Sequence, residues 1–185
     1  MSMETEEDEC LSTRRLVLRP ARLADAAEVA ALANDRHIAE MTSRIPHPYG
    51  IEDAEDFLSD LGEEKVFAIR TAGRSVLLGC AGLKPLARQG HVELGYWLGR
   101  AFWGQGFATE TAQVLIDHAF ETLGVSLVEV RCRVVNGASR RVISKCGFQY
   151  AGTAMDLSLA AGRVASEIYR MDRRCWQSLK SWGGK

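Results

Sequence analysis

Apolar and polar residues alternate along several short segments of the chain, and this spacing predicts half-buried strands. The first such segment ends at a proline, and turns rich in glycine and proline separate most of the others. In the segment 127–135, one face is apolar while Glu129, Arg131 and Arg133 share the other. The predicted strands cover residues 14–19, 66–70, 77–83, 91–98, 127–135, 148–154 and 165–172.

Helical spacing of apolar residues appears between these strands. The longest predicted helix covers 108–123 and stops at Gly124. Another begins after Asp25, which can cap it, and shorter pieces cover 53–61 and 137–146. Strands around helices, with one strand–helix–strand crossover, predict an α+β fold with a mixed central sheet.

Length and composition indicate one domain, because 185 residues that are 46% hydrophobic can build one sizeable core. We expect that domain to cover 13–178. Residues 1–12 are acidic and are interpreted as a flexible tail, and residues 179–185 as a C-terminal tail.

Charge and cysteine usage narrow the possible partners. The formal net charge of -1 provides no long-range basic field for nucleic acid. No signal peptide or membrane-spanning stretch is apparent, so no membrane partner is expected. The five cysteines are scattered without CxxC spacing, which favours reduced thiols, a cytoplasmic location and no metal site.

A glycine-rich loop between a predicted strand and the longest helix is the most informative feature. Gly104 and Gly106 allow close approach of the backbone to a ligand, and the free N–H groups of the following helix favour phosphate. A P-loop is excluded because neither glycine precedes a lysine, and Thr109 fits a dinucleotide fingerprint poorly. A tight turn without a ligand is the remaining alternative.

Four strings stand in order along the chain: Glu93-Leu-Gly-Tyr-Trp-Leu98, Trp103-Gly-Gln-Gly-Phe-Ala-Thr-Glu110, Asn136-Gly-Ala-Ser139 and Lys145-Cys-Gly-Phe148. Together they resemble the GNAT acetyltransferases, and the likeness runs from about Arg14 to Trp176. Within that family, the opening Leu16-Val-Leu-Arg-Pro20 and the loop Pro46-His-Pro-Tyr49 are similar to the branch that acetylates the N-terminal alanine or serine of ribosomal proteins. The resemblance implies a sheet with splayed strands flanked by helices.

The resemblance also implies that acetyl-CoA is the cofactor. The loop and helix start would bind its pyrophosphate, backbone groups of the strand before the loop would pair with its pantetheine arm, and Asn136 would orient that arm. At Ala101 the family often has a glutamine or arginine, so phosphate contacts are expected from backbone amides instead. The implied cofactor-binding residues are Tyr96, Trp97, Leu98, Trp103, Gly104, Gln105, Gly106, Phe107, Ala108, Thr109, Asn136 and Ser139.

Two residues are catalytic candidates. Glu93 could accept the proton of the attacking amine, the alternative being a solvated strand carboxylate. By resemblance, Ser139 would protonate the departing thiolate, because Ile143 stands where the family commonly has a tyrosine. Capping of the short helix is the alternative for Asn136 and Ser139. A cysteine nucleophile is a weaker possibility, since Cys132 and Cys146 fall on apolar faces.

The function implied by the resemblance is direct transfer of an acetyl group to a primary amine, with a protein N-terminus as the expected acceptor. A small amine such as an aminoglycoside or polyamine is an alternative acceptor, and a non-catalytic acyl-CoA-binding module is an alternative class of protein. Segments 36–55 and 156–164 are expected to choose the acceptor. A homodimer would fit the family.

Overall fold

The alternating segments form eight strands, and six helices connect or flank them, in a computed structural model that describes residues 9–183. The strands are β1 Leu11–Ser12, β2 Leu16–Pro20, β3 Lys65–Thr71, β4 Leu77–Pro85, β5 His91–Leu98, β6 Leu127–Arg133, β7 Gln149–Ser158 and β8 Gly162–Asp172. The helices are α1 Ala26–Ala33, α2 Arg36–Met41, α3 Ile51–Ser59, α4 Phe107–Glu121, α5 Gly137–Cys146 and α6 Arg173–Gly183.

One sheet contains all of these strands, in the order β1-β2-β3-β4-β5-β6-β8-β7. The neighbours are antiparallel except for β5 and β6, which are parallel and joined by α4. A parallel pair needs such a crossover because its second strand must start at the same edge of the sheet. The predicted α+β fold with a mixed sheet is therefore confirmed.

Each face of the sheet has its own hydrophobic core. Leu16, Phe67 and Leu94 face the α4 and α5 side, where they pack with Leu115 and Ile143. On the other face α1, α2 and α3 cover a second cluster that includes the side chain of Trp97. The alternation along β5 therefore directs successive side chains into different cores.

Regular structure extends on both sides of the predicted domain 13–178. Residues 11–12 pair with β2, and α6 continues to Gly183. Trp176 of α6 stacks on Phe120, with ring centroids 5.2 Å apart. Residues 1–8 and 184–185 of the predicted tails lie outside the described residues. Within residues 9–183, no helix combines the length and apolar character needed to cross a bilayer.

Asp25 precedes α1 as predicted, but its side chain does not cap that helix. The carboxylate is buried and instead accepts hydrogen bonds from Arg19 at 2.5 Å and from Arg70 at 2.9 Å. These guanidinium groups, with the Arg22 amide, hold the pKa of Asp25 below its usual value although burial opposes them. The prediction of a capping role was wrong because two cations from other strands compete for the carboxylate.

Candidate active site

A gap opens in the sheet where β5 and β6 diverge. The two strands pair from His91 and Leu127 only as far as Leu94 and Val130. Beyond that point β5 continues to pair with β4, and β6 continues to pair with β8. The splayed strands implied by the resemblance are therefore present, and the gap begins beside Gly95.

Hydrogen bonds at the two ends of the β4–β5 ladder establish which backbone groups of β5 face β4. The Gly99 amide donates to the Leu78 carbonyl at 2.8 Å, and the Leu86 amide donates to the His91 carbonyl at 2.9 Å. Hydrogen-bonded positions alternate along an antiparallel ladder. The main-chain groups of Trp97 therefore face β4.

The main-chain groups of Tyr96 and Leu98 face the gap instead. The Leu98 carbonyl is already occupied, because it accepts a hydrogen bond from Trp103 Nε1 at 2.8 Å. Tyr96 and the Leu98 amide thus remain available to an extended ligand. Backbone contacts with the cofactor were predicted for Trp97 as well, but its main-chain groups face β4 and its side chain packs on the opposite face of the sheet.

The glycine loop ends at α4 with its backbone in a conformation that favours glycine. Gly106 occupies the N-cap position with φ +82°, and Gly104 has φ +73°. A Cβ at Gly106 would meet only Arg15 Nη2, at 3.4 Å, so the backbone conformation rather than crowding calls for glycine. The N–H groups of the first turn, Phe107 to Thr109, have no partner within the helix and lie at the positive end of its dipole, an arrangement that favours an anion.

Arg15, the residue before β2, contacts both the glycine loop and the first turn of α4. Its Nη1 donates to the Gln105 carbonyl at 3.0 Å, and its Nε lies 2.7 Å from Glu110 Oε2. The guanidinium also lies 4.4 Å from the centre of the Phe107 ring. Arg15 was not predicted at this site, because 90 positions separate it from Gln105 and no local pattern links the two.

Other predicted cofactor residues support the loop or line the groove beside it. The Gln105 side chain donates to the Ala101 carbonyl at 3.0 Å, so it closes the loop on itself. Thr109 lines a groove along α4, together with Thr13 and Arg14 before β2 and with Lys145 of α5. Ala108 is half-buried in the first turn of α4. The side chain of Gln105 is therefore used within the loop, and the backbone amides are the groups that could contact an anion.

Asn136 and Ser139 lie at the start of α5, and they make different kinds of contact there. The Asn136 side chain caps the helix by accepting a hydrogen bond from the Ser139 amide at 3.0 Å. The Ser139 hydroxyl is 2.9 Å from the hydroxyl of Tyr96, on the far side of the gap. Ser139 therefore contributes to the cap only through its backbone, and its hydroxyl lies where the two strands diverge.

Glu93 lies on the opposite face of β5, two residues before the gap. It is paired in register with Glu129, whose buried carboxylate accepts from Arg131 Nε at 3.0 Å and Arg170 Nε at 2.8 Å. Glu93 has no such ion pair within residues 9–183. Burial raises the pKa of Glu93 and the nearby Glu129 adds to the effect, while Arg131 opposes it. The carboxylate is thus more basic than usual and is not committed to a guanidinium.

The cysteines near the gap are poor nucleophiles. Cys132 and Cys146 are both buried. Burial raises the pKa of Cys132, and it raises that of Cys146 to about 11. A nucleophilic cysteine must be a thiolate, so these thiols favour direct attack by the amine over a covalent intermediate.

Helix α2 crosses the face of the gap that Glu93 occupies, although no helix was predicted for this segment. Its N-cap residue, Asp35, lies 3.2 Å from Arg100 Nε, just after β5. Near its end, Arg133 of β6 donates to the Glu40 carbonyl. These contacts tie α2 to both of the diverging strands.

The β7–β8 hairpin also reaches this face. Ser158 Oγ donates to the Thr42 carbonyl at 3.0 Å, and the Leu159 amide donates to the Ser43 carbonyl at the same distance. The two segments expected to choose the acceptor, 36–55 and 156–164, therefore meet next to the gap. These contacts join residues more than 100 positions apart, so only the tertiary structure shows them.

Comparison with known proteins agrees with this geometry. A family model described as an acetyltransferase (GNAT) domain matches residues 15–149. The N-acetyltransferase p20 of Bacillus licheniformis, itself uncharacterised, is 31% identical over 163 residues, which cover 84% of this chain and 91% of that protein. The ribosomal-protein-serine acetyltransferase of Escherichia coli is 35% identical over 70 residues, 38% of each chain.

Solved structures share the fold at low sequence identity. RimJ of Mycobacterium smegmatis, solved in complex with CoA-disulfide, superposes with a TM-score of 0.82 at 19% identity and covers 98% of both chains. An acetyltransferase of the GNAT family from Bacillus anthracis superposes with a TM-score of 0.80, covering 89% of this chain and 99% of that one.

Proposed function

Since the chain belongs to the GNAT acetyltransferases and is an N-acetyltransferase, we propose that it transfers an acetyl group from acetyl-CoA to a protein N-terminal amine in a ternary complex. One observation carries this proposal: the gap between β5 and β6 lies beside the glycine-capped terminus of α4. The extended pantetheine arm of coenzyme A needs strand backbone groups that are free to pair with it. The diphosphate of the coenzyme needs free backbone amides.

The residues around the gap fit this cofactor. The amides of residues 104–109 would hold the diphosphate, and the main chain of Tyr96 with the Leu98 amide would pair with the pantetheine arm. When bound, acetyl-CoA supplies an acetyl group activated as a thioester. Asn136 would act on the cofactor through the helix start that it caps.

Two side chains would then divide the proton transfers. Glu93 accepts a proton from the amine, directly or through water, since burial has raised its pKa. Ser139 donates a proton to the departing sulfur from the other face of the sheet. The position of acid and base on opposite faces of one gap supports attack of the amine from the Glu93 side.

The choice of a protein acceptor rests on relatives, among them the ribosomal-protein-serine acetyltransferase of Escherichia coli. The test is a mass shift of one acetyl group on a panel of amines incubated with acetyl-CoA and this protein. The panel contains peptides with N-terminal serine or alanine, the same peptides with blocked N-termini, polyamines and aminoglycosides. Acetylation of the free peptides alone is expected, and acetylation of the small amines alone would contradict the proposed acceptor.

The cofactor assignment predicts that Gly106→Val weakens acetyl-CoA binding at least about tenfold, because a β-branched residue disfavours the left-handed backbone that presents the helix amides. Calorimetric titration measures the affinity, and a melting curve measures folding. Gly124→Val is the matched control, since Gly124 has φ +66° just beyond the other end of α4 and no neighbour within 4 Å of its added Cβ. Both variants should lose similar stability. Unchanged affinity in folded Gly106→Val would contradict the assignment.

A further inference from the structure

A hydroxyl pair links the two sides of the gap. Tyr96 Oη on β5 and Ser139 Oγ on α5 are 2.9 Å apart, although 43 positions separate them in the chain. The cap of α5 does not need this contact, because it uses the Ser139 amide. The pair therefore connects a strand that leads to the glycine loop with the candidate acid of the reaction.

Either hydroxyl of the pair can donate this hydrogen bond, and the phenol, which is the more acidic group, is the better donor. Burial raises the pKa of Tyr96 to about 12, the Ser139 hydroxyl partly opposing it, so the phenol keeps its proton at neutral pH. A serine oxygen has two lone pairs to accept with and one proton to donate. When the phenol donates to Ser139 Oγ, the serine proton is free to point into the gap. Hydroxyls in series polarise one another and make the terminal O–H a stronger donor.

We propose that Tyr96 is a positioning residue, whose phenol donates to Ser139 Oγ and orients the serine proton toward the departing sulfur. This inference rests on the proposed acetyl transfer. In that step the carbon–sulfur bond breaks with its electron pair on sulfur, and the serine proton moves to sulfur. Solvent returns a proton to Ser139 while Glu93 releases to solvent the proton taken from the amine.

The helix that carries Ser139 has no phenol of its own. Ile143, at the position where the wider family commonly has a tyrosine, is buried in the core of this chain. The phenol that reaches Ser139 therefore comes from β5, a different element. The Tyr96 hydroxyl contacts the Ser139 hydroxyl and takes no part in the Asn136 cap. Loss of the phenol should therefore affect the position of the serine proton without affecting the stability of α5.

The test is the Tyr96→Phe variant, assayed by thiol release from acetyl-CoA with and without a peptide amine. Its kcat is expected to fall about tenfold, the value of one lost hydrogen bond in the transition state, with KM for acetyl-CoA unchanged. Tyr169→Phe is the matched control, because it removes a phenol that donates to Glu167 on β8 at 2.9 Å. Tyr169→Phe should keep the wild-type kcat.

A double variant separates positioning from packing. On a Ser139→Ala background, Tyr96→Phe should cause no further loss, since the phenol acts only through the serine. Wild-type kcat in Tyr96→Phe, or the same loss on both backgrounds, would overturn the inference and leave the proposed function intact. A wild-type protein that releases no thiol under either condition would refute the proposed function, and this inference with it.

Discussion

Replacement of Glu93 by glutamine is expected to lower kcat/KM roughly a hundredfold or more at about pH 6.5, where an α-amino group with a pKa near 7.7–8.0 is mostly protonated. The amide keeps the shape of the side chain but cannot accept the proton. Above about pH 9 the amine is already neutral, so the loss should be much smaller. A pH–rate profile with a single peptide substrate measures both regimes, and an equal loss at every pH would indicate a structural role.

Stability provides the control for this variant. Because burial raises the pKa of Glu93 in the folded protein, its ionised form is less favourable there than in the unfolded chain. The stability contributed by its protonated form is present at low pH and is lost as the pH rises through the folded pKa. At pH 7 we therefore expect Glu93→Gln to melt at the wild-type temperature or above it.

Glu129→Gln offers a contrast on the neighbouring strand. It would leave Arg131 and Arg170 without their shared, buried carboxylate. We expect a lower melting temperature, because two charge-assisted hydrogen bonds to the buried carboxylate are lost, although Arg131 keeps its contact with Asp156. A fall in activity without that loss of stability would assign Glu129, and not Glu93, to the proton transfer.

Replacement of Ser139 by alanine is expected to lower turnover roughly a hundredfold, which is typical of a lost general acid, while acetyl-CoA affinity stays unchanged. The helix cap should survive, since it uses the Ser139 amide, which alanine retains. Turnover and melting temperature should be measured on one preparation. Wild-type turnover in the folded variant would refute the acid role.

Asn136→Ala is the matched control for that experiment. It removes the side chain that caps α5, so it should cost about 1 kcal/mol and lower the melting temperature by about 2–4 °C. If Ser139→Ala shows the same loss of stability with full turnover, the hydroxyl is structural. The structure assigns the cap to the Asn136 side chain and the Ser139 amide, and the acid role of the Ser139 hydroxyl stays a prediction.

Local patterns in the sequence were enough to predict most of the secondary structure and the fold class. Strand alternation and helical spacing predicted α5 at 137–146 with the observed bounds and α4 to within two residues at each end. They missed α2 and α6. The apolar residues of α2 are too few in one short helix to establish a period, and contacts with β6 and with the segment around Arg100 hold it in place.

Within the candidate site, the sequence by itself determined the position of the glycine loop before α4, Asn136 as the N-cap of α5 and Ser139 in the first turn of α5. Each of these depends on residues adjacent in the chain. The tertiary structure decided the rest. The pairing of Tyr96 with Ser139, the bracing by Arg15 and the raised pKa of Glu93 all depend on residues from distant segments. Local propensity does not specify which strands pair or where they separate. Those outcomes follow from burying both faces of the sheet at once, and that requirement is satisfied only by the whole chain.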